Sequence, residues 1–179
     1  YVNHCLEILE AEKVNLNHVI VVCHDMGGAY GHEMMKKLPL RSKFISINTL
    51  SGKLFFKRWT KLHNILRSSY MLLFQLPVLS HFILKKFYKP LRVLVYKAMG
   101  LNELLVPLKY DHNVLHGINF YKVLMKEFYL FFKQKSLKQS ALIIWGAKEK
   151  ILVSPDGPEL SQFYEKAEMA TLDGGHWLQ

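Results

Sequence analysis

A parallel α/β sheet interrupted by a mainly helical insertion is the fold class this sequence predicts. Short apolar runs alternate with helical stretches before residue 50 and again after residue 138. Between them the chain changes character, because Ser51 to Asn102 holds ten Lys or Arg and no Asp or Glu. The whole chain has 24 Lys plus Arg against 14 Asp plus Glu, so this one stretch accounts for the net charge of +10. The expected boundaries are 1–50 for the first part of the sheet, 51–137 for the insertion and 138–179 for the second part.

Each element follows from its own pattern. Val2, Cys5, Leu6 and Leu9 fall at i, i+3, i+4 and i+7, one face of an amphipathic helix over residues 1–12. After Asn15 and Asn17, the nearly continuous apolar run His18 to Cys23 reads as a strand buried on both faces. His24-Asp25-Met26-Gly27-Gly28 breaks that run, and Ala29 to Leu38 is helical up to Pro39. Lys43 to Asn48 is a second strand. The insertion is punctuated at Pro77, Pro90, Gly100 and Pro107 and carries a helical stretch over Gly117 to Phe132. Ser140 to Trp145 restores strand pattern, followed by a helix from Pro158 to Glu165 and a strand from Met169 to Leu172.

Composition excludes several classes. With 50% hydrophobic and 21% charged residues, the chain can bury a core and is not disordered. Cys5 and Cys23 supply neither a disulfide scaffold nor a zinc site. No metal and no cofactor is expected. No apolar run reaches the roughly 18 residues of a membrane span. The basic residues are interleaved with large aliphatics and match no nucleic-acid module. Tyr1 to Glu12 has no basic leader region, and with no initiator Met the sequence reads as a fragment.

The turn after the first strand carries the chemistry. Strand, sharp Gly-containing turn and helix is the setting of a nucleophile elbow, whose usual form is G-x-S-x-G. Here it reads Cys23-His24-Asp25-Met26-Gly27, with Asp25 as the nucleophile or, alternatively, as a plain helix N-cap. His176 follows the last strand in Gly174-Gly175-His176-Trp177, in the order nucleophile, acid, histidine. No Asp or Glu lies between Glu33 and Glu103, which leaves Glu149, just past the strand ending at Trp145, as the orienting acid, with Asp156 in reserve. A carboxylate nucleophile attacks saturated carbon to form an alkyl ester, so epoxide opening and carbon–halogen displacement both fit. Epoxide opening also needs a proton donor, and Tyr70 and Tyr121 are candidates among nine tyrosines.

On these residues the chain resembles the α/β-hydrolase-fold epoxide hydrolases, and within them the animal subgroup whose relatives are often membrane-anchored. The family elbow Gly-His-Asp-x-Gly-Gly is matched at residues 23–28 except at Cys23. Gly-His-Trp-x-Gln is matched by Gly175, His176, Trp177 and Gln179, and the acid falls on Glu149 where the family usually has Asp. Tyr-x-x-x-Phe-Gln-x-Pro is matched by Tyr70, Phe74, Gln75 and Pro77, and Asn-x-Tyr-Lys by Asn119, Tyr121 and Lys122. The resemblance implies an α/β-hydrolase fold whose insertion is a lid. It implies Asp25 as nucleophile, His176 as general base, Glu149 as its acid and Tyr70 and Tyr121 as proton donors. It further implies an oxyanion contact from the Met26 amide, and Phe74 and Trp177 against the substrate. The expected partners are a lipophilic epoxide and water, and the expected location is the endoplasmic reticulum membrane or the cytoplasm.

Three departures accompany the match. The family's Asn-x-Pro-His after the second strand appears as Asn48-Thr49-Leu50-Ser51. The His-Gly-x-Pro loop of the oxyanion hole would precede Tyr1, and a further helix would follow Gln179. A haloalkane dehalogenase is a competing reading, although that group usually carries Trp where this chain has Met26. A catalytically degenerate scaffold protein is another. The basic lid residues, mixed with Phe55, Phe56, Trp59 and Phe82, also suggest a surface facing anionic lipid.

Overall fold

The computed structural model describes residues 1–49, 51–59 and 134–178, with isolated positions between 75 and 127. Tyr70, Phe74, Tyr121 and most of the basic lid lie outside the described residues, as does most of the helical stretch expected over residues 117–132.

The first half runs α1 (Val2–Ala11), a 3-10 turn (Leu16–His18), β1 (Ile20–His24), α2 (Gly27–Met35), β2 (Lys43–Ile47) and α3 (Gly52–Trp59). After the insertion come β3 (Leu137–Gly146), α4 (Gly157–Ser161) and β4 (Tyr164–Leu172). The four strands form one parallel sheet in the order β1-β2-β3-β4.

Register decides which side chains meet. Val21 lies beside Phe44, Phe44 beside Ala141 and Ala141 beside Ala167, so these share a face with Cys23, Ser46, Ile143 and Trp145. α2 packs on that face, with Leu6 of α1 against the same core, and Cys23, Met35, Phe44, Ile143 and Trp145 are all buried there. Each residue removed from water in this way contributes roughly 25 cal/mol per Å² of apolar surface.

Buried polar side chains close the gaps between elements. Gln139 of β3 donates to the carbonyls of Met35 and Leu38, closing the C-terminal end of α2. Gln134 ties the insertion's return to its departure: its amide nitrogen donates to Ala29 O, and its oxygen accepts from Lys53 N–H.

Three expectations are corrected. β1 is not buried on both faces, because Ile20 and Val22 are 55% and 58% exposed. The helices cover the Val21–Cys23 side, and β1 is the outermost strand of the described sheet. The last helix also stops at Ser161, and Tyr164 and Glu165 begin a strand that runs to Leu172. The helix-forming composition of Glu165-Lys166-Ala167-Glu168 yields to parallel pairing with β3, which starts at Leu137 beside Tyr164. Asp156 is not a second acid. It caps α4 in a box with Glu159, each side chain accepting the other's backbone amide.

Candidate active site

β1 and α2 meet at Asp25, whose φ of 48° is left-handed. A non-Gly residue there is strained, and such strain concentrates at functional turns. Asp25 does not cap α2: Met26 occupies the N-cap position, and no side-chain cap bond is present there. The surroundings hold the turn instead, since the Asp25 carbonyl accepts from the Thr49 hydroxyl and from Gly28 N–H at 3.1 Å. The Met26 backbone amide lies near the Asp25 carboxyl and favours its charged form.

Cys23 fits the elbow because Gly31 makes room. A Cβ on Gly31 would come within 2.0 Å of the Cys23 sulfur and 3.1 Å of the Phe44 ring. Gly31 on the helix facing the strand leaves the space that the Cys23 sulfur fills. Burial pushes the Cys23 thiol up to about 11, which leaves it protonated and inert at neutral pH.

His176 lies on the loop after β4, and Glu149 on the turn after β3. His176 Nδ1 is 2.6 Å from Glu149 Oε2, and both side chains are 1% exposed. A carboxylate can only accept there, so Nδ1 carries the proton and Nε2 is left as the basic nitrogen. Nε2 faces Asp25 Oδ1 at 3.9 Å and has no hydrogen-bond partner. The other Glu149 oxygen accepts the Ile151 and Leu152 amides at 2.5 and 3.2 Å. The longer carboxylate is thereby held at both ends. Burial alone would raise the Glu149 pKa, but the bonds from His176 and these two amides outweigh it and hold the group below the usual range.

Asp25 is affected the other way. Burial raises its pKa, while His176, His24 and the Met26 amide act against the rise. A third of its side chain nevertheless remains open, at 33% exposure. The combination is a reachable carboxylate beside a basic nitrogen, in a setting that screens charge poorly.

The structure thus brings Asp25, His176, Glu149 and the Met26 amide together. Trp177, 47% exposed, stands beside them with its ring 4.6 Å from that of His24. Two residues that had no assigned role also belong to the site. The His24 ring lies 4.7 Å from that of His176, and its Nε2–H donates to the His176 carbonyl at 2.8 Å. Asn48, fully buried, donates from Nδ2 to the Gly175 and His176 carbonyls at 2.8 and 2.7 Å, and its Oδ1 accepts Gly146 N–H at 2.7 Å. Both lie in motifs visible in the sequence, but their partners are more than 90 residues away.

No protein-family model matches the chain, and no curated protein sequence does. Solved structures do match. A mutant of an epoxide hydrolase from Bacillus megaterium superposes with a TM-score of 0.70 at 18% identity, over 98% of this chain and 68% of that one. Another mutant of an epoxide hydrolase from the same organism, complexed with its product (R)-3-[1]naphthyloxy-propane-1,2-diol, matches at TM-score 0.69 and 17% identity, over 98% and 68%. A Salmonella enterica protein provisionally described as an acyltransferase matches equally well in shape, with TM-score 0.70 at 14% identity over 98% and 62%. These bacterial matches lend no support to an animal subgroup, and their shared shape spans different described activities. What they establish is architecture: the chain has the α/β-hydrolase fold.

Proposed function

We propose that this protein hydrolyses lipophilic epoxides to vicinal diols through an alkyl ester on Asp25. The observation that carries the reading is the convergence at the elbow, where a strained, partly open carboxylate faces the free nitrogen of a histidine whose other nitrogen is paired with a buried acid. In the first step an Asp25 oxygen attacks a ring carbon, the carbon–oxygen ring bond breaks, and the departing alkoxide takes a proton from Tyr70 or Tyr121. In the second step His176 Nε2 removes a proton from water as the water oxygen adds to the Asp25 carbonyl carbon. The Met26 amide stabilises the oxyanion and Glu149 the imidazolium; collapse expels the second diol oxygen, which takes the proton held on His176, and the carboxylic acid left at Asp25 returns its proton to the tyrosinate, regenerating the carboxylate.

Carbon–halogen displacement would use the same first step but needs halide stabilisation. Met26 is not the Trp that dehalogenases usually carry there, so epoxides are the favoured substrate class. Attraction of the basic lid to anionic lipid would bring such substrates to the site. Among the described residues no helix is long and apolar enough to cross a membrane.

The test uses 1-naphthyl glycidyl ether, the epoxide whose hydration gives the diol bound by the Bacillus megaterium neighbour. The intact protein should convert it to the diol, and His176→Gln should accumulate one substrate mass on the peptide containing Asp25. An adduct on any other residue, or diol formation unchanged in Asp25→Asn, would refute the proposal.

A further inference from the structure

Residues Asp173 to Leu178 form no regular secondary structure, and two glycines precede His176. Such a segment loses much backbone freedom when fixed, so its position depends on specific bonds. One buried side chain supplies two of them. Through its two donations and one acceptance, Asn48 ties the His176 loop to Gly146, where the turn bearing Glu149 begins. Together with the bond from Lys148 N–H to the Gly174 carbonyl at 2.8 Å, it fixes the spacing between the histidine and acid loops. His24 gives the His176 carbonyl a second donor, filling both of its lone pairs, and lies against the imidazole. Asn48 itself sits at φ 41°, which Asn tolerates better than other non-glycine residues. A Cβ on Gly146 would come within 2.5 Å of the Gly175 carbonyl, so no side chain can wedge these loops apart.

We infer that Asn48 and His24 are positioning residues for His176, acting on the water-attack step and not on ring opening. The inference rests on the proposed role of His176 as general base. That role predicts an asymmetry that a merely structural part would not produce. Asp25 is held by Thr49 and its own turn, so loosening the His176 loop leaves the nucleophile in place. A misplaced imidazole, by contrast, loses its line to the ester carbonyl. A displacement near 1 Å can cost about 10²-fold in rate.

The experiment follows one turnover of 1-naphthyl glycidyl ether by the intact protein, quenched and weighed, so that formation and decay of the Asp25 adduct are timed separately. Asn48→Gly keeps the left-handed backbone and removes all three side-chain bonds. It should form adduct at the wild-type rate and lose it about 10²-fold more slowly. His24→Phe, which keeps a ring and loses the donor, should slow decay alone, and His24→Gln should recover part of it. A proton NMR spectrum supplies a readout independent of turnover: the His176 Nδ1–H signal, identified by its absence in His176→Gln, should broaden or vanish in Asn48→Gly.

Wild-type decay in Asn48→Gly, or equal slowing of both steps, overturns the inference. If that variant fails to fold, equal decay rates in His24→Phe and wild type overturn it instead. If His176→Gln traps no adduct, the proposed function fails, and the NMR signal alone decides whether Asn48 positions the ring.

Discussion

On the proposed mechanism Asp25 must be ionised to attack carbon, yet burial in the elbow favours its neutral form and its neighbours only partly correct this. Its carboxylate is therefore lost on acidification sooner than an ordinary Asp. The rate of ring opening should fall on the acid side with an apparent pKa above 3.8, and a limb at or below that value would show the elbow to be more polar than described. Glu149 behaves oppositely. Held below the usual carboxylate range, it keeps its charge to lower pH than an ordinary Glu. Glu149→Gln should slow ester hydrolysis by about 10³-fold or more, with ring opening much less affected, as separate timing of the two steps would reveal. The sequence already pointed to Asp25, Glu149 and His176, because a nucleophile, an acid and a histidine in that chain order follow strand ends that apolar runs make visible. His24 and Asn48 could not be assigned their work in the same way. Each acts through a backbone carbonyl far along the chain, and a carbonyl leaves no mark in sequence.

The packing of α2 against β1 turns on one exchange of volume. Gly31→Ala would ordinarily strengthen a helix by up to about 1 kcal/mol. Here the new methyl meets the Cys23 sulfur at 2.0 Å, and overpacking of this kind costs roughly 1–3 kcal/mol, so the net effect should be destabilising. Cys23→Gly in the same chain should remove most of the loss, and a double-mutant cycle of denaturant unfolding would measure the coupling. Additive effects would mean that the two residues do not share the space. The elements themselves were legible to differing degrees. α1, β1, α2 and β2 carry helical or strand periodicity and fall within a few residues of expectation. β4 does not, because the residues after Tyr164 are charged or small, and only the neighbouring β3 makes them a strand. The two-sided burial expected of β1 failed for a related reason: apolarity reports that a strand can be covered, and the neighbouring helices decide which face is.

Stability of the folded chain as a whole should depend on His32. This side chain of α2 is completely buried against the Tyr164 ring, and burial pushes its pKa from 6.5 down to about 4. The unfolded chain takes up a proton below 6.5 while the folded chain resists until about 4. Stability from this group is therefore complete above pH 6.5 and drains away as pH falls toward 4, by about 3 kcal/mol. Thermal melts across that range should show a steeper decline for the wild type than for His32→Leu, and parallel curves would place the ring in contact with water. The last consequence belongs to the join at Gln134. Because Gln134 bonds both to Ala29 in the core and to Lys53 where the insertion departs, the two ends of the insertion are held together beside the sheet. Evolution, or a protein engineer, can lengthen, trim or replace the insertion without altering a strand register. On the proposed reaction, substrate preference would then be set by a segment that can diverge faster than the strands beneath it.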